Sequence, residues 1–96
     1  MANRPTRKIR RALQQKGFRR EQDSRHERYV LVDQDGRDTS VFTVISRGSR
    51  YRDYGDRLLS YMASELLLSR SQLLDLIDCP LDYSAYLKLV RQQREI

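Results

Sequence analysis

Two β-rich runs joined by a tight turn constrain this chain more than any other feature. Glu27–Val32 (Glu-Arg-Tyr-Val-Leu-Val) and Thr39–Ile45 (Thr-Ser-Val-Phe-Thr-Val-Ile) are dense in β-branched and aromatic residues, which suit a pleated surface. Between them, Asp33-Gln34-Asp35-Gly36-Arg37 carries the Asp-Gly step of a hairpin turn. An isolated hairpin buries too little apolar surface to be stable, so it needs a third strand or a helix behind it. Both are at hand. Phe18–Gln22 reads as a weaker strand just upstream, and on either side of the strands the apolar spacing changes from alternation to helical period.

Upstream, Pro5 suits a first helical turn, Ile9, Ala12 and Leu13 make one stripe, and Gly17 supplies the stop just after Lys16. Arg4, Arg7, Lys8, Arg10 and Arg11 fall largely off that stripe. Downstream, Asp53 is the expected N-cap of a long helix with Leu59, Met62, Ala63 and Leu66 on its buried side. Ser69-Arg70-Ser71-Gln72 has the pattern of a capping box opening a short helix that runs to about Ile77. Cys79-Pro80 breaks it, and Asp82 caps a last amphipathic helix carrying Tyr83, Tyr86, Leu87 and Val90. The expected fold is an α+β domain spanning 1–96, with a three-stranded antiparallel sheet in the order α-β-β-β-α and two further helices. Both strand faces are apolar, with Val30 and Val32 on one and Tyr29 and Leu31 on the other, so the pattern does not choose which is buried. The second face must be covered by the additional helices or by another chain.

Charge is divided unevenly over the 96 residues, whose formal net charge is +6. Residues 1–52 hold 14 Lys and Arg against 6 Asp and Glu, whereas residues 53–96 hold 5 against 7. Sixteen of the 19 basic side chains are Arg, which forks onto phosphate and stacks on bases. A basic half beside a mildly acidic one points to a polyanion-binding face, most simply nucleic acid, with a merely solvated surface as the alternative. One cysteine, Cys79, excludes an intramolecular disulfide, and with one histidine, His26, it excludes a zinc site of several Cys and His ligands. Cys79 itself reads as a small packing residue. No apolar run approaches the roughly 20 residues of a membrane span, and Met1–Pro5 is not followed by the apolar stretch of a secretory signal. A cytoplasmic protein with no membrane contact is expected.

Three constellations invite chemistry. Asp33, Asp35 and Asp38 begin like a calcium loop, but Val44 stands where its bidentate Glu belongs, so the segment is an ordinary turn. Residues 63–77 have the cadence of a helix-turn-helix with Arg70 and Gln72 available to bases, yet Asp75 and Asp78 follow, and two packed core helices are the better reading. His26 remains, between Arg25 and Arg28 by way of Glu27, with the basic loop Arg47-Gly48-Ser49-Arg50-Tyr51-Arg52 expected nearby. Imidazole with guanidinium groups suffices to cleave RNA without metal, the base taking the 2′-hydroxyl proton while arginines stabilise charge on phosphorus.

The basic first helix, Lys16-Gly17-Phe18, a serine and histidine at the start of the second strand, and a hairpin leading to a helix together resemble the HicA family. The resemblance covers about residues 5–68 and leaves 69–96 as a helical extension. It implies a double-stranded-RNA-binding-like fold and the toxin half of a toxin–antitoxin pair, an mRNA interferase needing no cofactor and no metal. It also implies mRNA and a cognate acidic, HicB-like antitoxin as partners. His26 would be catalytic; the family usually carries Gly-Ser-His, where this chain has Ser24-Arg25-His26, so Arg25 takes the serine position. The expected RNA-binding face takes in Arg7, Arg11, Arg19, Arg20, Ser24, Arg25, Arg28, Arg47, Ser49, Arg50, Tyr51 and Arg52. The alternatives are a non-catalytic RNA-binding module of the same fold and a small DNA-binding regulator reading through residues 63–77.

Overall fold

The computed structural model describes residues 2–47 and 52–94. In chain order the elements are β1 (Asn3–Pro5), α1 (Thr6–Gln15), β2 (Phe18–Gln22), β3 (His26–Val32), β4 (Asp38–Ser46), β5 (Asp53–Gly55), α2 (Asp56–Glu65), α3 (Arg70–Asp78) and α4 (Tyr83–Arg94). Strands β2, β3 and β4 form a three-stranded antiparallel sheet in that order. The described residues are therefore α+β, with this sheet and four helices.

The local signals behave as their chemistry requires. In the hairpin turn, the Asp33 carboxylate accepts the N–H groups of Asp35 and Arg37, and Gly36 takes φ +80°. Ser69 and Gln72 close a reciprocal capping box at 3.1 and 2.9 Å, and the Asp82 carboxylate accepts the Ala85 N–H at 2.9 Å. Gly17 ends α1 at φ +88°, and the Tyr83 ring occupies the space a side chain would need there.

Three expectations need correction. Asp53 does not cap α2: it lies in β5, which pairs antiparallel with β1 through Asn3↔Gly55, Arg4↔Tyr54 and Pro5↔Asp53. The buried Tyr54 holds this ribbon to the core, so the helix starts two residues later than expected, at Asp56, whose carboxylate accepts the Ala2 N–H at 2.7 Å. For the same reason Pro5 precedes α1 as its N-cap instead of entering its first turn. Cys79 is not a packing residue. It is exposed and ends α3 in the left-handed conformation, φ 88°, as the residue that closes a helix often does. That turn is held from beneath by the buried Lys16, whose ammonium donates to the Leu81 carbonyl at 2.7 Å.

The buried face of the sheet is the one carrying Glu27, Tyr29 and Leu31, joined by Phe18, Val41, Thr43 and Ile45 from its neighbours. Apolar side chains from Ile9 to Val90 make one core cluster over that face. Its cover is internal. The Tyr86 ring of α4 stacks on Phe18 with centroids 5.8 Å apart, its hydroxyl donates to the Leu66 carbonyl, and Tyr83 donates to the Val32 carbonyl at 2.6 Å. Of the two covers expected, further helices or another chain, the helices supply the one over the Tyr29/Leu31 face. Lys16, Gly17 and Phe18 are all engaged with the C-terminal helices or the turn between them. On the outer face, Val30 is shielded between its cross-strand neighbours Arg19 and Phe42.

Asp78 fastens the two ends of the fold. It accepts both forks of Arg4, at 3.0 and 2.7 Å, and the Lys8 ammonium at 3.0 Å. These bonds, Arg4 foremost, hold its carboxyl at about 2. The folded value lies below the ordinary one near ~3.9, so the stabilisation is full above about pH 4 and vanishes as pH falls towards 2. The group is partly exposed, which reduces the expected contribution to about 1 kcal/mol. Urea unfolding of Asp78→Asn should show that loss at pH 7 and none at pH 2; an equal loss at both would remove the ion pairs as its cause.

Candidate nucleic-acid interface

The turn between β2 and β3 is built around Asp23, whose carboxylate accepts the backbone N–H groups of His26 at 2.7 Å and Arg25 at 2.8 Å. These bonds, His26 first, hold the Asp23 carboxyl below its usual range and leave Ser24 and Arg25 exposed at the tip. His26 opens β3 on the outer face, directly across from Ser46. Its ring is half-exposed, and the nearest carboxylate oxygen, on Asp23, is 4.0 Å from Nδ1. Arg47 continues from Ser46, its N–H donating to the Arg25 carbonyl at 3.0 Å. Thus Arg25, His26, Ser46 and Arg47 share one end of the sheet. Ser49, Arg50 and Tyr51, expected beside them, lie outside the described residues.

Beneath this end sits a group that sequence reasoning missed. Glu27, 4% exposed, accepts the Tyr29 hydroxyl at 2.7 Å and the Arg10 Nε at 2.8 Å, with Arg20 at 3.5 Å and Arg47 at 3.9 Å. Burial pushes its carboxyl up, but Tyr29, Arg10 and Arg20 together outweigh that and hold it below its ordinary value. Burial and the Glu27 carboxylate push the Tyr29 phenol upward. The only forewarning was an acidic residue in register with Tyr29 and Leu31.

His26 also lines a cleft of about 340 Å³ between β4 and α2, shared with Thr43, Ser46, Leu58, Tyr61 and Glu65. Buried Thr43 donates to the Glu65 carboxylate at 2.9 Å. Leu58, Tyr61 and Glu65 of α2 were not singled out as site residues beforehand. Tyr61 was recoverable, since it is an aromatic on the helix side away from Leu59, Met62 and Ala63.

The other expected contacts are scattered. Arg19 is tied to Glu21 and Asp38, and Arg20 to Gln22 and Glu27. Arg28 lies over the Phe42 ring at 4.2 Å and 3.9 Å from Glu21. Arg7 and Arg11 project from successive turns of α1 into a separate groove of about 600 Å³ against the end of α3, and neither meets a carboxylate among the described residues. Arg52 is exposed and its carbonyl accepts the Thr6 N–H and hydroxyl at the start of α1. In the 63–77 segment, Arg70 pairs with Asp56 at 3.4 Å and Gln72 closes the capping box, so both side chains considered for base reading are occupied. Among the described residues no helix is long and apolar enough to cross a membrane. No family model, curated protein or solved structure matches the chain.

Proposed function

We propose that the chain binds RNA through its arginine-rich half and cleaves it at His26 without metal, as a cytoplasmic toxin of the HicA kind. The observation that carries this reading is the meeting of His26, Arg25 and Arg47 at one sheet end, beside a cleft. The succession of α1, the β2–β4 meander and, after β5, α2 supports reading residues 5–68 as a double-stranded-RNA-binding-like core, with α3 and α4 as its extension. In the reaction, the neutral imidazole takes the proton of a 2′-hydroxyl and the 2′-oxygen bonds to the adjacent phosphorus. The 5′-oxygen then leaves with a proton, giving a 2′,3′-cyclic phosphate and a 5′-hydroxyl. Arg25 and Arg47 neutralise charge on the phosphorane. Loss of cleavage in a folded His26→Ala protein is the test. An acidic antitoxin laid over the basic half would keep the enzyme from its host's RNA; only charge now argues for it, since the apolar face has internal cover.

A non-catalytic RNA-binding module is the second reading. It is favoured by the His26 ring, which has no hydrogen bond to the described residues that would orient it. The DNA-reading alternative loses support with Arg70 and Gln72 engaged.

Binding on either RNA reading is electrostatic. If about six phosphates are contacted, log K against log[salt] should slope near −4, at ~0.7 per single-strand contact. Reversing Arg7, Arg11 and Arg25, which lack acidic partners among the described residues, should bring the slope to about −2. Arg70→Glu should leave it unchanged. Affinity indifferent to salt in a filter-binding assay would remove the polyanion reading.

A further inference from the structure

We propose that the cleft beside His26 seats one unpaired base of the RNA, guanine by preference, so that the substrate is single-stranded at the cut. This rests on RNA being the ligand and adds where a base goes. Large apolar side chains exposed among the described residues are Phe42, Leu58 and Tyr61, and the last two line this cleft. Tyr61 is 59% exposed, a ring left without apolar cover in a chain that buries Tyr29, Tyr54 and Tyr86. Such a ring suits stacking on a base, which is sequence-tolerant because every base has a π-face. The Arg57 guanidinium lies over the Tyr61 ring, 6.0 Å from its centroid, so a base stacked on the opposite face would extend a cation–π pair. At about 340 Å³ the cleft is at the small end of ligand sites, roomy enough for one nucleotide and too small for a duplex.

Glu65 supplies the preference. Thr43, fully buried, donates to its carboxylate and fixes it at the cleft wall. A carboxylate only accepts, so it favours a base edge with adjacent N–H donors. Guanine presents N1–H and N2–H₂ side by side. Uracil has one N–H flanked by two carbonyl oxygens, which the carboxylate repels, and adenine and cytosine set their amino group beside a ring-nitrogen lone pair. With His26 on the same cleft, the bond cut is 3′ of the seated guanosine.

The test is fluorescence anisotropy with labelled heptauridylate, with and without one central 2′-deoxyguanosine, which lacks the attacking hydroxyl at the proposed cut. Wild type should bind the guanine oligonucleotide at least about 10-fold tighter, as expected of one bidentate base contact. Tyr61→Ala should weaken it by about 5- to 150-fold, the effect of losing one stacked base. Glu65→Gln should abolish the guanine preference, bringing the two oligonucleotides to equal affinity. Both positions are exposed, and circular dichroism checks that the fold persists. Equal binding of the two oligonucleotides, or full affinity in Tyr61→Ala, overturns the base seat. If the seat passes but all-ribose RNA is never cut, the nuclease reading falls alone. If cleavage needs His26 while both variants bind as wild type, the seat falls and the nuclease stands.

Discussion

Glu27→Ala is expected to destabilise the chain by about 3–5 kcal/mol, the loss typical when one partner of a buried ion pair is removed. Two donors depend on this carboxylate at short range, the Tyr29 hydroxyl at 2.7 Å and the Arg10 Nε at 2.8 Å. Without it the fully buried Tyr29 hydroxyl has no acceptor, and Arg10 and Arg20 are left facing each other. Domains of this kind hold only about 5–15 kcal/mol in all, so the variant should be largely unfolded at modest urea. Glu27→Gln keeps an acceptor for Tyr29 and should cost less, about 1.5–3 kcal/mol, the worth of a hydrogen bond to a charged group. Because the folded carboxyl lies below its unfolded value near ~4.3, the contribution is present above about pH 5 and shrinks as the group protonates. Denaturant unfolding at pH 7 and pH 3 checks both points. A Glu27→Ala protein within 1 kcal/mol of wild type at pH 7 would mean that the arginines around it are indifferent to its charge.

What could be read ahead of the structure was what local chemistry decides. The Asp-Gly turn, the β-branched runs and the Ser69 capping box each act within a few residues, and the three strands and the later helices followed from them. The β1–β5 ribbon did not, because three-residue strands show no periodicity and their pairing joins residues some fifty positions apart, as Asn3↔Gly55 does. Nor did the choice of buried face, since Val30 and Tyr29 are both apolar and only the docking of Tyr86 on Phe18 separates them. At the site, the nearness of Arg47 to His26 was legible from the hairpin, while the pairing of His26 with Ser46 was not. Which arginines are free was not. Arg19, Arg20 and Arg28 look like Arg25 in the sequence, yet each finds a carboxylate on its own or a neighbouring strand, a matter of register and side-chain reach. Tyr61 and Glu65 reach the cleft because α2 crosses the β4 edge, which no local pattern encodes.

His26→Ala is expected to lower RNA cleavage by ~10²–10⁴-fold, the usual contribution of a general base. It should do so with little change in stability, because the ring is half-exposed and the turn depends on the His26 backbone N–H, which the variant keeps. This separates chemistry from folding more cleanly than any other position at the site. The chain has one histidine, so no second imidazole protonates the leaving 5′-oxygen. On the proposed mechanism, water or His26 itself returning the proton it took would do so, which implies slow turnover. The assay is cleavage of a mixed RNA in EDTA by wild type and by a His26→Ala protein shown to be folded, with the ends of the products analysed. A 2′,3′-cyclic phosphate formed by wild type and lost with the imidazole is the expected result. Cleavage that persists in the variant, or that requires Mg²⁺, removes His26 from the mechanism and leaves the arginines at that sheet end as a binding surface alone.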